Sequence, residues 1–325
     1  LVRSRGLGDV YKRQGEEESP ALSASVMEGY GLKVYECDLN EVLRQSQSSG
    51  ILYNATLIRQ MITHDAVTGL PLIRFKGFAD IVMLPGAELV ESLGDSYHHV
   101  GMDETMVITR SNKRANIYNN GIRNMVLDRE EELSSGDMLM IVKNNYFWTE
   151  KEKKESGEGS AGAVPAFLAN GDRAKVLRVS NYIELYGFRF ATLLLQLPDY
   201  DDYEMQVTGM LDTLQSEAPA LTHEQQEELF RQVEEDYQHF VPLKADRMKS
   251  IRQDAYFNAL QIKYAYAVTC HKAQGGQWAH VYVDQGYMTD DMLTPDYIHW
   301  LYTAFTRATD KLFLCLLYTS DAADE

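Results

Sequence analysis

The segment from residue 264 to residue 284 constrains the fold of this chain more than any other. It opens with an apolar, strand-type run over Tyr264–Val268 and closes with a second alternating run over His280–Asp284. Between the runs lies a polar turn that ends in two glycines, made by Thr269, His271, Lys272, Gln274, Gly275 and Gly276. A buried strand that ends in this way brings backbone N–H groups and side-chain donors to one point, as in many phosphate sites. The alternative is an ordinary strand–turn–strand with a solvated turn.

A second stretch, Trp300–Thr309, has a helical pattern and precedes the apolar run Leu312–Leu314. Its Thr303, Thr306 and Arg307 fall at i, i+3 and i+4, so a helix would place them on one face. An arginine displayed on such a face can neutralise charge that develops on a γ-phosphate. The alternative is a surface helix whose arginine reaches into solvent.

Together these stretches resemble a known family. T-x-H-K-x-Q-G followed by Y-T-A-x-T-R-A looks like motifs V and VI of superfamily 1 helicases in their RecD-like form. Upstream, L-x-E-x-x-R-Q before S-x-I-x-x-N-A resembles motif IV of the same helicases. The resemblance implies an α/β fold, a RecA-like parallel sheet with an inserted small SH3-like β-barrel. It also implies the second motor domain of an ATP-dependent DNA helicase that moves 5′ to 3′.

The resemblance assigns roles to individual residues. Arg307 and Arg44 would be catalytic, at the γ-phosphate. The ATP-binding residues would be Gln45, Gly275, Gly276, Gln277 and Thr306. The DNA-binding residues would be Thr269, His271, Lys272 and Gln274 of motif V, Arg110 and Asn112 of a motif IVa-like segment, and Lys143 and Asn144 of the barrel. The cofactors would be ATP and Mg²⁺, with the Mg²⁺ ligands in an N-terminal domain and no metal site in this segment. The partners would be single-stranded DNA and duplex ends or forks.

The pattern along the chain predicts a division into parts. We expect the motor domain in two pieces, residues 15–133 and 251–314, separated by a barrel at 134–200 and a helical connection at 201–250. Short strand-type runs with Gly and N-G-D turns predict the barrel, interrupted by a flexible charged loop at Glu150–Gly162. Helix starts are predicted from cap residues at Ser48 or Ser49, at Ser111 or Asn112, and at Thr222 with Gln225 as a capping box. Trp148 is expected in the barrel core, with base stacking as its alternative.

Both ends of the chain match translated sequencing-adaptor DNA. Asp9–Gln14 fits a transposon end used in library preparation, and Cys315–Glu325 fits its reverse complement. We therefore expect residues 1–14 and 315–325 to be non-native and residues 15–314 to be part of a longer protein. The sequence contains no G-K-[ST] phosphate loop, so this chain alone is expected not to hydrolyse ATP.

The formal net charge is −17, and it stays at −17 without the two ends, which carry four basic and four acidic residues. A nucleic-acid binder is usually basic, so this balance argues against broad coating of DNA and favours a narrow basic track. Cys37 and Cys270, the two cysteines outside the adaptor-like ends, give neither a disulfide framework nor a zinc site. The sequence contains no run of about 18 apolar residues that could form a membrane span. We expect a cytoplasmic protein. The alternatives are a non-catalytic nucleic-acid-binding module with relic motor motifs and a P-loop ATPase that acts on protein.

Overall fold

The computed structural model describes residues 23–35, 49–63, 69–156, 164–286 and 293–316. The chain divides into two compact units, the first made of residues 1–108 and 273–325 and the second of residues 109–272. In sequence, the second unit is therefore inserted between the two parts of the first. Over the described ranges, no helix has the length and apolar character needed to cross a membrane.

The described residues form both strands and helices. In chain order the strands are β1 (Ile81–Pro85), β2 (Thr105–Thr109), β3 (Met138–Ile141), β4 (Arg173–Leu185), β5 (Phe188–Leu197), β6 (Tyr203–Met210), β7 (Leu260–Tyr264), β8 (Ala267–Thr269), β9 (Trp278–Asp284) and β10 (Ala308–Leu316). The helices are α1 (Ala24–Gly29), α2 (Gly50–Thr63), α3 (Leu89–His99), α4 (Asn112–Gly121), α5 (Phe147–Ser156), α6 (His223–Gln238), α7 (Lys244–Arg252) and α8 (Pro295–Phe305).

The first unit is built on a parallel sheet. Its strands lie in the order β1, β10, β9, β2, and each neighbouring pair is parallel. Strand β9 is almost wholly buried, and so is the segment 312–315 of β10, as expected where helices cover a parallel sheet, whereas residues 309–311 of β10 are exposed. Helix α3 packs on the face that carries Tyr282, whose ring stacks on Phe313 at 4.3 Å and whose hydroxyl donates to the Ser92 carbonyl oxygen at 2.6 Å. Helices α2 and α8 pack against each other and against β10.

Helix α2 begins at a polar cap that joins it to the sheet. Ser49 Oγ accepts from the Leu52 N–H at 3.1 Å, which confirms Ser49 as the cap; Ser48 lies outside the described residues. The Asp80 carboxylate accepts from Ser49 Oγ and from the N–H groups of Gly50 and Ile51, at 2.5 to 3.2 Å. Burial raises the pKa of Asp80, but these hydrogen bonds outweigh it and the net pKa is lowered.

The second unit contains a closed barrel. Strands β3, β4, β5 and β6 pair antiparallel in succession, β7 pairs parallel with β6, and β7 then pairs antiparallel with β3. The predicted fold class, an α/β RecA-like parallel sheet with an inserted small barrel, is therefore confirmed.

The predicted barrel boundaries are wrong at the C-terminal side. Residues 201–250 were expected as a helical connection, yet Tyr203–Met210 forms the fourth barrel strand. The fifth strand, Leu260–Tyr264, falls in the segment assigned to the motor domain. The physical reason is closure, because a barrel needs a last strand that pairs with the first, and that pairing leaves no local trace in the sequence. The charged segment after Phe147 is also helical through Ser156 rather than a loop.

The helices of the second unit largely follow their sequence signals. Ser111 caps α4 by accepting from the Arg114 N–H at 3.2 Å, and Thr222 with Gln225 forms the predicted capping box of α6. Ala115, Tyr118 and Ile122 are buried, whereas Met125 is 70% exposed. Helix α4 gives way after Gly121 to a π-helical turn over Ile122–Val126, which turns Met125 towards solvent.

Candidate phosphate-binding sites

The turn after β8 begins the polar part of the T-C-H-K-A-Q-G-G segment. It is closed by a hydrogen bond from the Lys272 N–H to the Thr269 carbonyl oxygen at 2.9 Å. The Cys270 N–H donates to the Thr109 carbonyl oxygen at 3.2 Å, so the turn is tied to the end of β2. His271 is exposed, whereas the Lys272 side chain runs inward until its Nζ atom is buried. Lys272 and His271 therefore lie in opposite environments although they are sequence neighbours.

Lys272 ends in a small cavity within the second unit. The cavity has a volume of about 10 Å³, close to the space that one water molecule occupies. Its lining residues are Asn112, Ala115, Asn116, Asn119, Met140, Lys263, Tyr264, Ala267, Val268, Thr269 and Lys272. Burial and then the positive charge of Lys263 lower the pKa of Lys272 to about 8, and burial lowers that of Lys263 to about 8. The cavity thus brings together three predicted DNA-binding residues, Asn112, Thr269 and Lys272.

Two residues that the sequence did not point to shape this cavity. Asn119 is 2% exposed; its Nδ2 donates to the Ala267 carbonyl oxygen at 2.9 Å, and its Oδ1 accepts from the Ala267 N–H at 2.8 Å. It therefore fixes β8 against α4. Lys263, on barrel strand β7, is 6% exposed and its Nζ donates to the Ser216 carbonyl oxygen. A lysine inside an apolar strand run was the available signal for Lys263, while Asn119 gave none beyond its helix.

The other predicted DNA-binding residues of the second unit lie apart from the cavity. Arg110, Lys143 and Asn144 are exposed, and none of them lines it. The Asn144 side-chain oxygen accepts from the Asn170 N–H at 2.7 Å, which holds two loops together. Trp148 is 4% exposed and donates from Nε1 to the Asn258 carbonyl oxygen at 2.9 Å, so its prediction as a core residue is confirmed.

In the first unit, the two glycines are required by geometry. Gly275 has a φ of +85°, which residues with a Cβ rarely adopt. A Cβ on Gly276 would lie 2.4 Å from the Trp278 ring, so only glycine fits against that indole. Gly275 and Gln277 are exposed at the surface of this loop, and Gln274 and Gly276 are half-buried.

Arg307 is buried rather than displayed. Helix α8 ends at Phe305, and the Arg307 side chain is 5% exposed. The guanidinium donates from Nε to the Thr303 carbonyl oxygen at 3.1 Å, from Nη1 to the Gly276 carbonyl oxygen at 3.1 Å, and from Nη2 to Thr306 Oγ1 at 3.2 Å. The arginine is therefore not displayed as predicted, and the alternative of a surface helix whose arginine reaches into solvent is also wrong, because carbonyl groups at the helix end and in the glycine loop accept from the guanidinium.

The hydrogen bonds of Arg307 nevertheless bring together several of the residues that were predicted to contact the nucleotide. Arg307, Thr306 and Gly276 are joined by direct hydrogen bonds, and the Trp278 N–H donates to the Arg307 carbonyl oxygen at 3.0 Å. Thr303, named for its place on the helix face, supplies one of the acceptors. Arg44 and Gln45, the predicted motif IV residues, lie outside the described residues.

The glycine loop and Arg307 both lie in a segment that is similar to a helicase C-terminal domain. Residues 264–315 match the family model of the UvrD-like helicase C-terminal domain. That segment contains both the glycine loop and Arg307, so the predicted resemblance to a helicase C-terminal domain is confirmed for it. The narrower RecD-like assignment stays a prediction.

Comparisons with curated proteins and with solved structures give weaker similarity than the family model does. No curated protein matches the chain. A Pif1 helicase from Bacteroides, solved with ADP-AlF3 and single-stranded DNA, is 12% identical with a TM-score of 0.40; the match covers 86% of this chain and 51% of that one. A Candida albicans Pif1 helicase is 13% identical with a TM-score of 0.33, covering 85% and 55%. A structure of forked DNA unwinding by two Pif1 helicases is 10% identical with a TM-score of 0.37, covering 84% and 48%. The chain thus spans about half the length of these structures.

Proposed function

We propose that this chain is the second motor domain of an ATP-dependent DNA helicase or translocase, which couples ATP hydrolysis to movement along single-stranded DNA. The observation that carries the proposal is the bond between Arg307 and Gly276, both within the segment that matches the helicase family model. That bond joins the two sequence motifs that were predicted to meet at a nucleotide. Cytoplasmic location and 5′ to 3′ movement are proposed with it, from the resemblance.

On the nucleotide side, the residues are compatible with phosphate contact after a local change. Bound ATP supplies a γ-phosphate whose developing charge an arginine can stabilise. Nη1 of Arg307 donates to the Gly276 carbonyl oxygen, and we propose that a phosphate oxygen takes over this donor when the nucleotide binds. The exposed Gly275 and Gln277 lie on the same loop, where backbone N–H and amide groups can orient the nucleotide. We propose that Mg²⁺ enters with ATP, that its protein ligands lie outside residues 15–314, and that Arg44 and Gln45 complete the site.

On the DNA side, the proposed contacts are to phosphates rather than bases. Lysine, histidine, threonine and arginine side chains position a backbone without reading sequence. Thr269 is the last residue of β8, His271 and Lys272 follow directly after it, and Asn112 lies in the first turn of α4. With a net charge of −17, binding confined to such a track should be sensitive to salt. Duplex ends and forks are the proposed places where this strand is engaged.

The test is steady-state ATPase and strand displacement by the protein encoded by the intact gene, with Arg307→Ala and with Arg252→Ala as a matched control. Arg252 is an exposed arginine in α7. We expect Arg307→Ala to lower DNA-stimulated turnover by about 10³-fold or more, while the Kd for oligothymidylate changes little. The control should keep both properties. Duplexes with a 5′ or a 3′ tail then determine polarity.

Burial of Arg307 favours a second candidate, a nucleic-acid-binding module in which this arginine only anchors the loop. In that case Arg307→Ala and Arg307→Lys should lower the melting temperature and DNA binding together, and the intact protein should show no DNA-stimulated ATPase. Wild-type turnover in Arg307→Ala would contradict the assigned catalytic role.

A further inference from the structure

The cavity between helix α4 and barrel strand β7 combines two cations in a confined space. Lys272 comes from the turn after β8, and Lys263 comes from the barrel. Among the described residues that line this cavity, none is acidic. Lysine ammonium groups carry three donors each and no acceptor, so the cavity offers donors to whatever enters it.

The two ammonium groups differ in their hydrogen bonding. Lys263 Nζ donates to the Ser216 carbonyl oxygen. Lys272 Nζ is buried and has no hydrogen-bond partner among the described residues. A buried charge without a partner is costly, and a second like charge beside it adds to the cost. An anion placed between them would remove both penalties at once.

The remaining lining restricts the kind of anion. The amides of Asn116 and Asn119 already donate to backbone carbonyl oxygens, of Ser216 and Ala267 respectively, so they form fixed walls. Asn112 lies at the N-terminal end of α4, where backbone N–H groups favour negative charge. A volume of about 10 Å³ admits one oxygen-sized atom rather than a whole phosphate. The geometry therefore suits an oxygen that projects from a larger anion held outside.

We propose that this cavity is a phosphate-oxygen subsite, in which Lys263 and Lys272 together hold one non-bridging oxygen of the backbone of single-stranded nucleic acid. The new member is Lys263, a barrel residue outside every motif that the sequence indicated. The proposal rests on the proposed function for its nucleic-acid source. Inorganic phosphate offers the same chemistry, and the experiment separates the two.

The experiment measures fluorescence anisotropy of labelled oligothymidylate with the full chain and with Lys263→Met, Lys272→Met and Lys249→Met. Lys249 is an exposed lysine of α7, so its variant removes the same charge without touching the cavity. We expect each cavity variant to bind about tenfold or more weakly and to lower the salt slope by about one. The control variant should keep wild-type affinity to within about twofold.

A second arm replaces single phosphates of the oligonucleotide by methylphosphonates, which lack the anionic oxygen. At one position the substitution should weaken wild-type binding as much as Lys263→Met does, and it should weaken that variant no further. Full additivity at every position, or wild-type affinity in Lys263→Met, would overturn the subsite and leave the proposed function standing.

A third arm uses inorganic phosphate and the melting temperature. If the wild type fails to bind oligothymidylate but is stabilised by phosphate, and Lys263→Met and Lys272→Met lose that shift, the oxyanion subsite stands and the proposed function fails. If the wild type neither binds oligothymidylate nor is stabilised by phosphate, both the subsite and the proposed function are overturned. Because Lys263→Met also removes the bond to Ser216, Lys263→Gln serves as a second variant with a retained donor. It should keep the melting temperature while losing affinity.

Discussion

Replacing Lys272 by methionine should stabilise the ligand-free protein. The Nζ atom of Lys272 is buried without a hydrogen-bond partner in the described part of the chain, and its pKa is lowered from 10.5 to about 8. At about 1.4 kcal/mol per pH unit, that shift corresponds to roughly 3 kcal/mol of destabilisation while the lysine is charged in both states. Because part of the side chain is accessible to solvent, we expect a gain of about 2 kcal/mol at pH 7.

The stabilisation by Lys272→Met should depend on pH. A lysine whose pKa is lowered by folding opposes folding fully below about pH 8. Between about pH 8 and 10.5 the folded state releases its proton before the unfolded state does, so the penalty fades as pH rises. The stability gain of Lys272→Met should therefore shrink to about 1 kcal/mol or less at pH 10.

The assay is urea unfolding of the wild type, Lys272→Met and Lys249→Met at pH 7 and pH 10, followed by circular dichroism and tryptophan fluorescence. Comparing variants at one pH cancels the titration of other groups, including Tyr264, whose pKa burial raises to about 12. Lys249→Met should change the free energy of unfolding by no more than about 0.5 kcal/mol at either pH. A Lys272→Met protein that is no more stable than wild type at pH 7, or equally stabilised at pH 10, would refute the reasoning.

Three further predictions concern stability. Gly276→Ala should lower the free energy of unfolding by about 1–3 kcal/mol in urea titrations, because its Cβ would overlap the Trp278 ring, and Gly276→Ser should do no better. Asp80→Ala should cost about 1–2 kcal/mol at pH 7, with a difference from wild type that narrows as the pH falls through the lowered pKa of Asp80; an unchanged difference at acid pH would contradict it. Asp137→Asn should cost about 3–5 kcal/mol by leaving Arg123 buried without its carboxylate, and a calorimetric Tm equal to wild type would exclude that.

Local sequence signals predicted the parts of the fold that local physics determines. The capping box at Thr222 and Gln225 and the cap at Ser111 both depend on residues within one turn of each other. Such signals need no knowledge of the remaining chain. The closing barrel strand Leu260–Tyr264 was missed because its partners, β3 and β6, lie far away in sequence.

In the candidate site, too, contacts between residues that are distant in sequence could not be predicted. The sequence placed Lys272 and Arg307 in phosphate-binding motifs, but it could not say which acceptors each would meet. Asn119 and Lys263 were not identified, since a helix asparagine and a strand lysine acquire their roles only from contacts with β8 and Ser216. The sequence therefore predicted which motif residues belong to the candidate site, but it did not predict the partners and charges that surround them.

Those surroundings give the two cations different tasks. Arg307 donates to three neutral acceptors, so its charge is solvated by protein before any ligand arrives. Nη1 donates to the Gly276 carbonyl oxygen, so a phosphate that replaces this acceptor would be coupled to movement of the glycine loop. Within the described ranges, Lys272 Nζ has no such bond to give up, so an anion at its cavity recovers the cost of burying the charge directly as binding free energy. Phosphate contact at Lys272 should therefore need no rearrangement, whereas contact at Arg307 should accompany a conformational change.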